Sequence, residues 1–444
     1  MNDLRVVGAR IIDPARGVDH HDTLWVRDGK VAGYGDVPPF GCVDTCIAVD
    51  ANGWALLPAL TDLGVCLDVS FARSDLLGNG PSCEDAWRVA ALSGGVTRVV
   101  APSHPKPNVV QALPSTTGGT SRLDTTRVAQ QGVPATGRAA SNTLAVDVYD
   151  VYRWPHKAAA DTSGYAGHGY GLSCLRDFAA LRAAAQYAAD AGGRVWILPA
   201  DDGLARGGVM ADGPYALRLG LDGVPADVQA RAIAAIAQTL ADTGARAHIA
   251  SLATGLAVKA VRAARASGLA ITCDVQAHHL HLTDVDIGYF DTRHKLDPPL
   301  YRLADRDALR AALEAGDIDA VVSGHVTVSA SDKARFFADA QSGAPALGAT
   351  LSLMLSLAQQ LDWPLVDALR AVTAGPQTVL TGAALGLAPG APADFCLVDL
   401  DDWWQPARSM AMMQPALSPF AQAVLPGRVQ ATYVRGVRVW ESEA

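Results

Sequence analysis

Three imidazoles fall within four residues at His278, His279 and His281, in the run Gln276-Ala277-His278-His279-Leu280-His281-Leu282-Thr283. Histidine nitrogen is a common zinc ligand, so this run and His325 are the first candidates for metal chemistry. On a strand or loop, His279 and His281 share a side. A metal centre also wants a carboxylate or ligands from a second strand, and the run supplies neither, which leaves side-chain packing as the plainer role. Cys66 is a candidate lone thiol, against the ordinary role of a free cysteine as a small buried hydrophobe. Cys42-x-x-x-Cys46 has no second ligand pair at zinc-site spacing. His20-His21 between Asp19 and Asp22 reads as a polar loop. No G-x-S-x-G nucleophile elbow occurs, and Gly118-Gly119-Thr120 does not match a phosphate-binding loop.

Composition narrows the classes. The chain has 444 residues, 50% hydrophobic and 18% charged, enough for a large core and a smaller second domain. The net charge of -9 and the lack of clustered Lys and Arg exclude a nucleic-acid binder. No apolar run reaches the ~18 residues a membrane span needs. Met1-Asn2-Asp3-Leu4-Arg5 lacks the basic-then-apolar pattern of a secretory leader. Seven dispersed cysteines fit a reducing compartment, so a cytoplasmic location is expected.

The elements that must position any site follow from periodicity. Short β-rich runs at 4–7, 10–12, 23–26 and 31–34 surround an Asp28-Gly29 turn, a hairpin signal. The other end repeats the texture at 394–399, 429–434 and 437–440, with a turn at Arg435-Gly436. One β domain built from both termini is expected, over 1–55 plus 385–444. Between them, over 56–384, strands alternate with Ala-rich helices. Strands are expected at 98–101, 195–198, 248–250, 270–275 and 319–323, and helices at 181–191, 228–243, 257–266 and 308–315. Repeated β-then-α units with Gly stops at this length predict a (β/α)8 barrel of the TIM type. Residues 116–171 carry weak periodicity, and no strand is assigned there. Trp403-Trp404 beside Asp401-Asp402 either anchors an interface or covers the barrel's edge.

Several blocks resemble the dihydroorotases, cyclic amidohydrolases of pyrimidine biosynthesis within the amidohydrolase superfamily. Leu56 to Leu67 resembles P-G-x-x-D-x-H-x-H at the end of the first barrel strand. Gly94-Gly95-Val96-Thr97 resembles A-G-G-V-T. The His278-His279 run resembles P-H-H-L-x-L-T. Lys295-Leu296-Asp297-Pro298-Pro299-Leu300 resembles K-x-N-P-P-L, and Gly390 to Asp394 resembles the G-x-x-A-D that opens the returning β domain. The resemblance covers nearly the whole chain. It implies a barrel with a small β-sandwich domain, zinc ions at the strand ends, and a zinc-held hydroxide attacking a ring amide.

The residues that such chemistry needs are missing from the matching positions. The H-x-H pair falls on Gly64 and Cys66. The histidine of H-x-E-D falls on Leu198, and the ligand histidine of H-x-x-H-x-S-T falls on Ser251, with His248 matching the non-ligand one. The catalytic aspartate of T-D-H falls on Gly324. The bridging lysine or aspartate is expected near 167–173, where the sequence has neither; Lys157 and Asp161 lie upstream. The substrate-pairing arginine of L-R-x-P falls on Asp68, whose charge repels an anionic substrate, and the partner asparagine falls near Ser103. The family carries the His278-His279 pair as packing residues. No zinc or other cofactor is therefore expected, and Gly64, Cys66, Leu198, Ser251, Gly324 and Asp68 read as vestigial positions, with His278, His279 and His325 left near the barrel mouth.

Among the family's relatives are inactive forms that associate with aspartate carbamoyltransferase and support its assembly. The resemblance implies that role here, together with a homodimer and no nucleic-acid or membrane partner. Two alternatives stand beside it: a cyclic amidohydrolase with an altered metal site, and a small-molecule binding protein using the emptied barrel mouth.

Overall fold

Alternation of apolar and polar residues draws both ends of the chain into one sheet. In the computed structural model the described residues are 3–37, 39, 46–66, 83–102, 147–151, 178–190, 194–200, 202–205, 207–409, 411–412 and 414–442. Leu4–Asp13 pairs antiparallel with Val18–Arg27, which turns through Asp28 and Gly29 into Lys30–Tyr34. Phe395–Trp404, Leu425–Val434 and Val437–Glu441 form a second antiparallel run. Ala55–Pro58 joins the two, parallel to Leu4–Asp13 and antiparallel to Phe395–Trp404, in an eight-stranded sheet that also takes in Ile47–Asp50. One face buries Val6, Ile11, Leu24, Val26, Phe395 and Tyr433 as a separate core.

The middle of the chain is the expected barrel. Leu60–Asp62 pairs with Val96–Pro102, which pairs with Asp147–Val151, all parallel. Arg194–Ile197, Arg246–Ile249, Ile271–Gln276 and Ala320–Val322 form a second parallel run. The last strand closes on the first, His325–Val326 against Val65–Cys66. Asp147–Val151 falls in the segment that periodicity left unassigned; the rest of 116–171 lies outside the described residues. Leu63, Val100, Ala320 and Val322 meet in one interior layer. Burying a side chain of the size of Leu or Val stabilises by roughly 1.5–3 kcal/mol, so this layer fixes the strand ends that carry any site.

The helices fall close to their expected places. Phe178–Asp190, Val228–Thr243, Gly255–Ala266 and Leu303–Glu314 each precede or follow a barrel strand. Val228–Thr243 ends at Gly244 in the left-handed conformation, with its N–H on the Leu240 carbonyl. Gly255–Ala266 starts under Thr254, whose hydroxyl accepts the Ala257 N–H. No helix among the described residues is long and apolar enough to cross a membrane.

Candidate active site

In a barrel of this kind the chemistry belongs at the C-terminal ends of the strands. The first strand ends on Asp62, whose Oδ1 accepts N–H groups from Gly64 and Ser323 at 3.1 Å each. The carboxyl thus ties the first strand to the turn after Ala320–Val322. Burial pushes its pKa up, and the Asp274 charge adds to this, against hydrogen bonds from Ser323 and Gly64. Beyond it, a Cβ on Gly64 would lie 2.8 Å from Val322 Cγ2 and 2.9 Å from Val322 Cβ. Val322 is fully buried and branched at Cβ, so it cannot swing aside. Position 64 therefore lacks both a ligand and room for one. Cys66 is half-buried, and its carbonyl accepts the Thr327 N–H at 3.2 Å.

Leu198 is half-buried directly after the strand Arg194–Ile197 and offers no donor atom. Ser251 follows Arg246–Ile249 with φ +56, a left-handed conformation uncommon for a residue with a side chain. Three hydrogen bonds hold it there. Its N–H donates to Asp274 Oδ1 at 2.6 Å, its carbonyl accepts from Gln229 Nε2 at 2.8 Å, and its hydroxyl accepts from Gln276 Nε2 at 3.1 Å. Asp274 in turn takes the Nε2 proton of His248 on Oδ2 at 2.8 Å, while His248 Nδ1 sits 2.8 Å from the Thr272 hydroxyl. Both His248 and Asp274 are fully buried, under the Trp196 ring at 4.1 Å from the imidazole. A charged residue inside the apolar strand Ile271–Gln276 was a visible signal of this network.

Gly324 also has a left-handed φ, +64. The space a side chain would need is taken: a Cβ there would lie 2.7 Å from Gln276 Cδ and 2.8 Å from its Oε1. Gln276 was not singled out by its sequence, yet it fills the space beside Gly324.

The histidine run differs from expectation in one respect. Ala277–His281 is a short helix rather than a strand or loop. Helical spacing brings His278 and His281 to one side, where both meet Phe420, at 5.6 Å stacked and 5.9 Å edge-on. His279 points elsewhere, its Nε2 donating to the Pro298 and Pro299 carbonyls at 3.2 Å each. His281 Nε2 donates to the Leu353 carbonyl at 3.1 Å. His325 Nδ1 accepts the Ala346 and Leu347 N–H groups at 3.2 and 3.3 Å, which puts its own proton on Nε2. Burial pushes His278 down to about 3 and His279, His281 and His325 down to about 4; for His278, the neighbouring histidines add to this. All four are neutral at neutral pH. Trp404 is half-buried, its Nε1 donating to Ser352 Oγ at 2.9 Å and the Gly427 carbonyl at 3.1 Å, whereas Trp403 is 55% exposed.

Gly64, Leu198 and Gly324 bring no donor atom, Ser251 brings a neutral hydroxyl already engaged by Gln276, and Cys66 brings a single thiol. This donor set does not fit a two-zinc centre. Asp68, Ser103, Lys157, Asp161 and residues 167–173 lie outside the described residues.

No family model matches the chain. A dihydroorotase-like protein of Pseudomonas aeruginosa is 31% identical over 449 residues, spanning 98% of each chain. A dihydroorotase of Anaeromyxobacter dehalogenans is 30% identical over 444 residues, spanning 99% of this chain and 98% of its own. Among solved structures, the L-hydantoinase (dihydropyrimidinase) of Arthrobacter aurescens superposes with a TM-score of 0.76 at 20% identity, covering 100% of this chain and 97% of that one. The dihydropyrimidinase of Brevibacillus agri gives 0.73 at 16%, covering 99% and 95%. These two share the barrel and terminal β domain. With full-length relatives at this level of identity, the chain belongs to the dihydroorotase-like family of cyclic amidohydrolases.

Proposed function

We propose that this chain is a catalytically inactive dihydroorotase homologue, without zinc, that acts as a structural partner of aspartate carbamoyltransferase in pyrimidine biosynthesis. The observation that carries the reading is that Gly64, Leu198, Ser251 and Gly324 carry none of the histidine or aspartate side chains that the resemblance implies at those positions. Among the described residues, no group of three or more His, Cys, Asp or Glu side chains is placed to hold one metal ion. The partnership itself rests on the family resemblance and is supported by the physics of the fold. A barrel that keeps its core and its closing strand pairs without its ligands is retained for its surface, because fold and chemistry separate. A homodimer and a cytoplasmic location belong to the same reading, the latter supported by the seven dispersed cysteines of the sequence.

The test is light scattering after size exclusion on a mixture of this protein and the same organism's aspartate carbamoyltransferase, each also run alone. A joint peak of fixed stoichiometry is expected, since a stable contact buries at least ~1,000 Å². Two separate peaks at roughly micromolar concentration would rule the partnership out.

A further inference from the structure

We infer that Gln276 has taken over the bracing of this end of the barrel, so that the position of the catalytic carboxylate is closed by packing as well as by substitution. In a metal-dependent barrel the strand ends are tied together by shared ligands. Here one amide does that work. Gln276 ends the strand Ile271–Gln276 and is only 3% exposed. Its Nε2 spends both protons, one on the Ser251 hydroxyl at 3.1 Å and one on the Asp297 carbonyl at 2.9 Å. It thereby links the loops that follow two different strands, and its Cγ, Cδ and Oε1 occupy the volume that any side chain at Gly324 would enter, all within 2.9 Å of the Cβ site.

A side chain at 324 must displace this amide. The displaced Gln276 would leave the Asp297 carbonyl and its own amide without partners in a buried place, where unmade hydrogen bonds cost most. Restoring the family's carboxylate at 324 is thus blocked by a residue on another strand, and removing that residue relieves the block. The inference concerns the folded chain alone and does not depend on whether a complex with a carbamoyltransferase forms.

A double-mutant cycle tests it, with Gly324→Asp, Gln276→Ala and the pair, read as urea midpoints of the full chain. The left-handed φ at 324 penalises Asp equally in both backgrounds and cancels in the cycle. The expected result is that the midpoint loss from Gly324→Asp falls to about half or less when Gln276 is Ala, as for residues in direct contact. Equal losses in both backgrounds would overturn the inference. If Gly324→Asp fails to fold in both, hydrogen exchange on Gln276→Ala alone decides: the amides of 250–254, Asp297 and Leu300 are expected to exchange about tenfold faster. Exchange unchanged from the parent chain would overturn it.

Discussion

Acidification from about pH 7.5 to about pH 5 is expected to destabilise this protein strongly, through four buried histidines. His278, His279, His281 and His325 are buried and resist protonation until the pH falls to about 3 for the first and about 4 for the others. The unfolded chain takes up the same protons near the ordinary histidine value of ~6.5. Between ~6.5 and ~4 the unfolded state therefore binds more protons, and stability falls as pH falls. Above that window the four groups contribute no pH dependence. At pH ~5 each group costs roughly 2 kcal/mol, so four cost about 8 kcal/mol, against a typical total of ~5–15 kcal/mol. Thermal unfolding followed by circular dichroism across this range should show the midpoint dropping steeply below pH ~6. A midpoint that stays level down to pH ~4.5 would mean that these imidazoles are already charged or solvated in the folded protein.

The second large effect belongs to Asp274. Its carboxylate holds His248 at 2.8 Å and the Ser251 N–H at 2.6 Å, and the residue is fully buried. Asp274→Ala is expected to cost ~3–5 kcal/mol, because breaking a buried pair strands the partner groups. Asp274→Asn is expected to cost much less. The Asn carbonyl still accepts from Ser251, and His248 can shift its proton to Nδ1, donate to Thr272 and accept from the Asn amide. Urea unfolding of the two variants distinguishes these outcomes. Equal costs for Ala and Asn would show that charge, rather than hydrogen-bond satisfaction, is what Asp274 supplies.

The barrel and the terminal sheet were legible because they are written in period. Val228–Thr243 has the expected bounds, and the turns at Asp28-Gly29 and Arg435-Gly436 fall between the strands they were expected to join. Leu303–Glu314 begins five residues ahead of the expected 308, since Asp305 and Arg306 fit a first helical turn as well as a loop. The helix Ala277–His281 was missed because five residues are too few to display a period, and the face shared by His278 and His281 went with it.

At the site, losses were easier to read than replacements. That Gly64 and Leu198 carry no metal-binding atom is a statement about one residue type at one position. What packs around these positions is a matter of three-dimensional neighbours: Val322 against Gly64 and Gln276 against Gly324 come from other strands. Neither residue type carries a signal of its own. Asp62 and Asp274 are carboxylates within buried strands, and both bind backbone N–H groups across strand ends.

The most direct measurement is zinc content together with hydrolase activity, on chain expressed with ample zinc and purified without chelator. The expected result is well below one zinc per chain by elemental analysis, with opening of dihydroorotate and of a neutral cyclic ureide no faster than in buffer, because Gly64, Leu198, Ser251 and Gly324 supply no ligand set. One or two firmly held zinc ions per chain with turnover of either ring would contradict the loss of the catalytic centre.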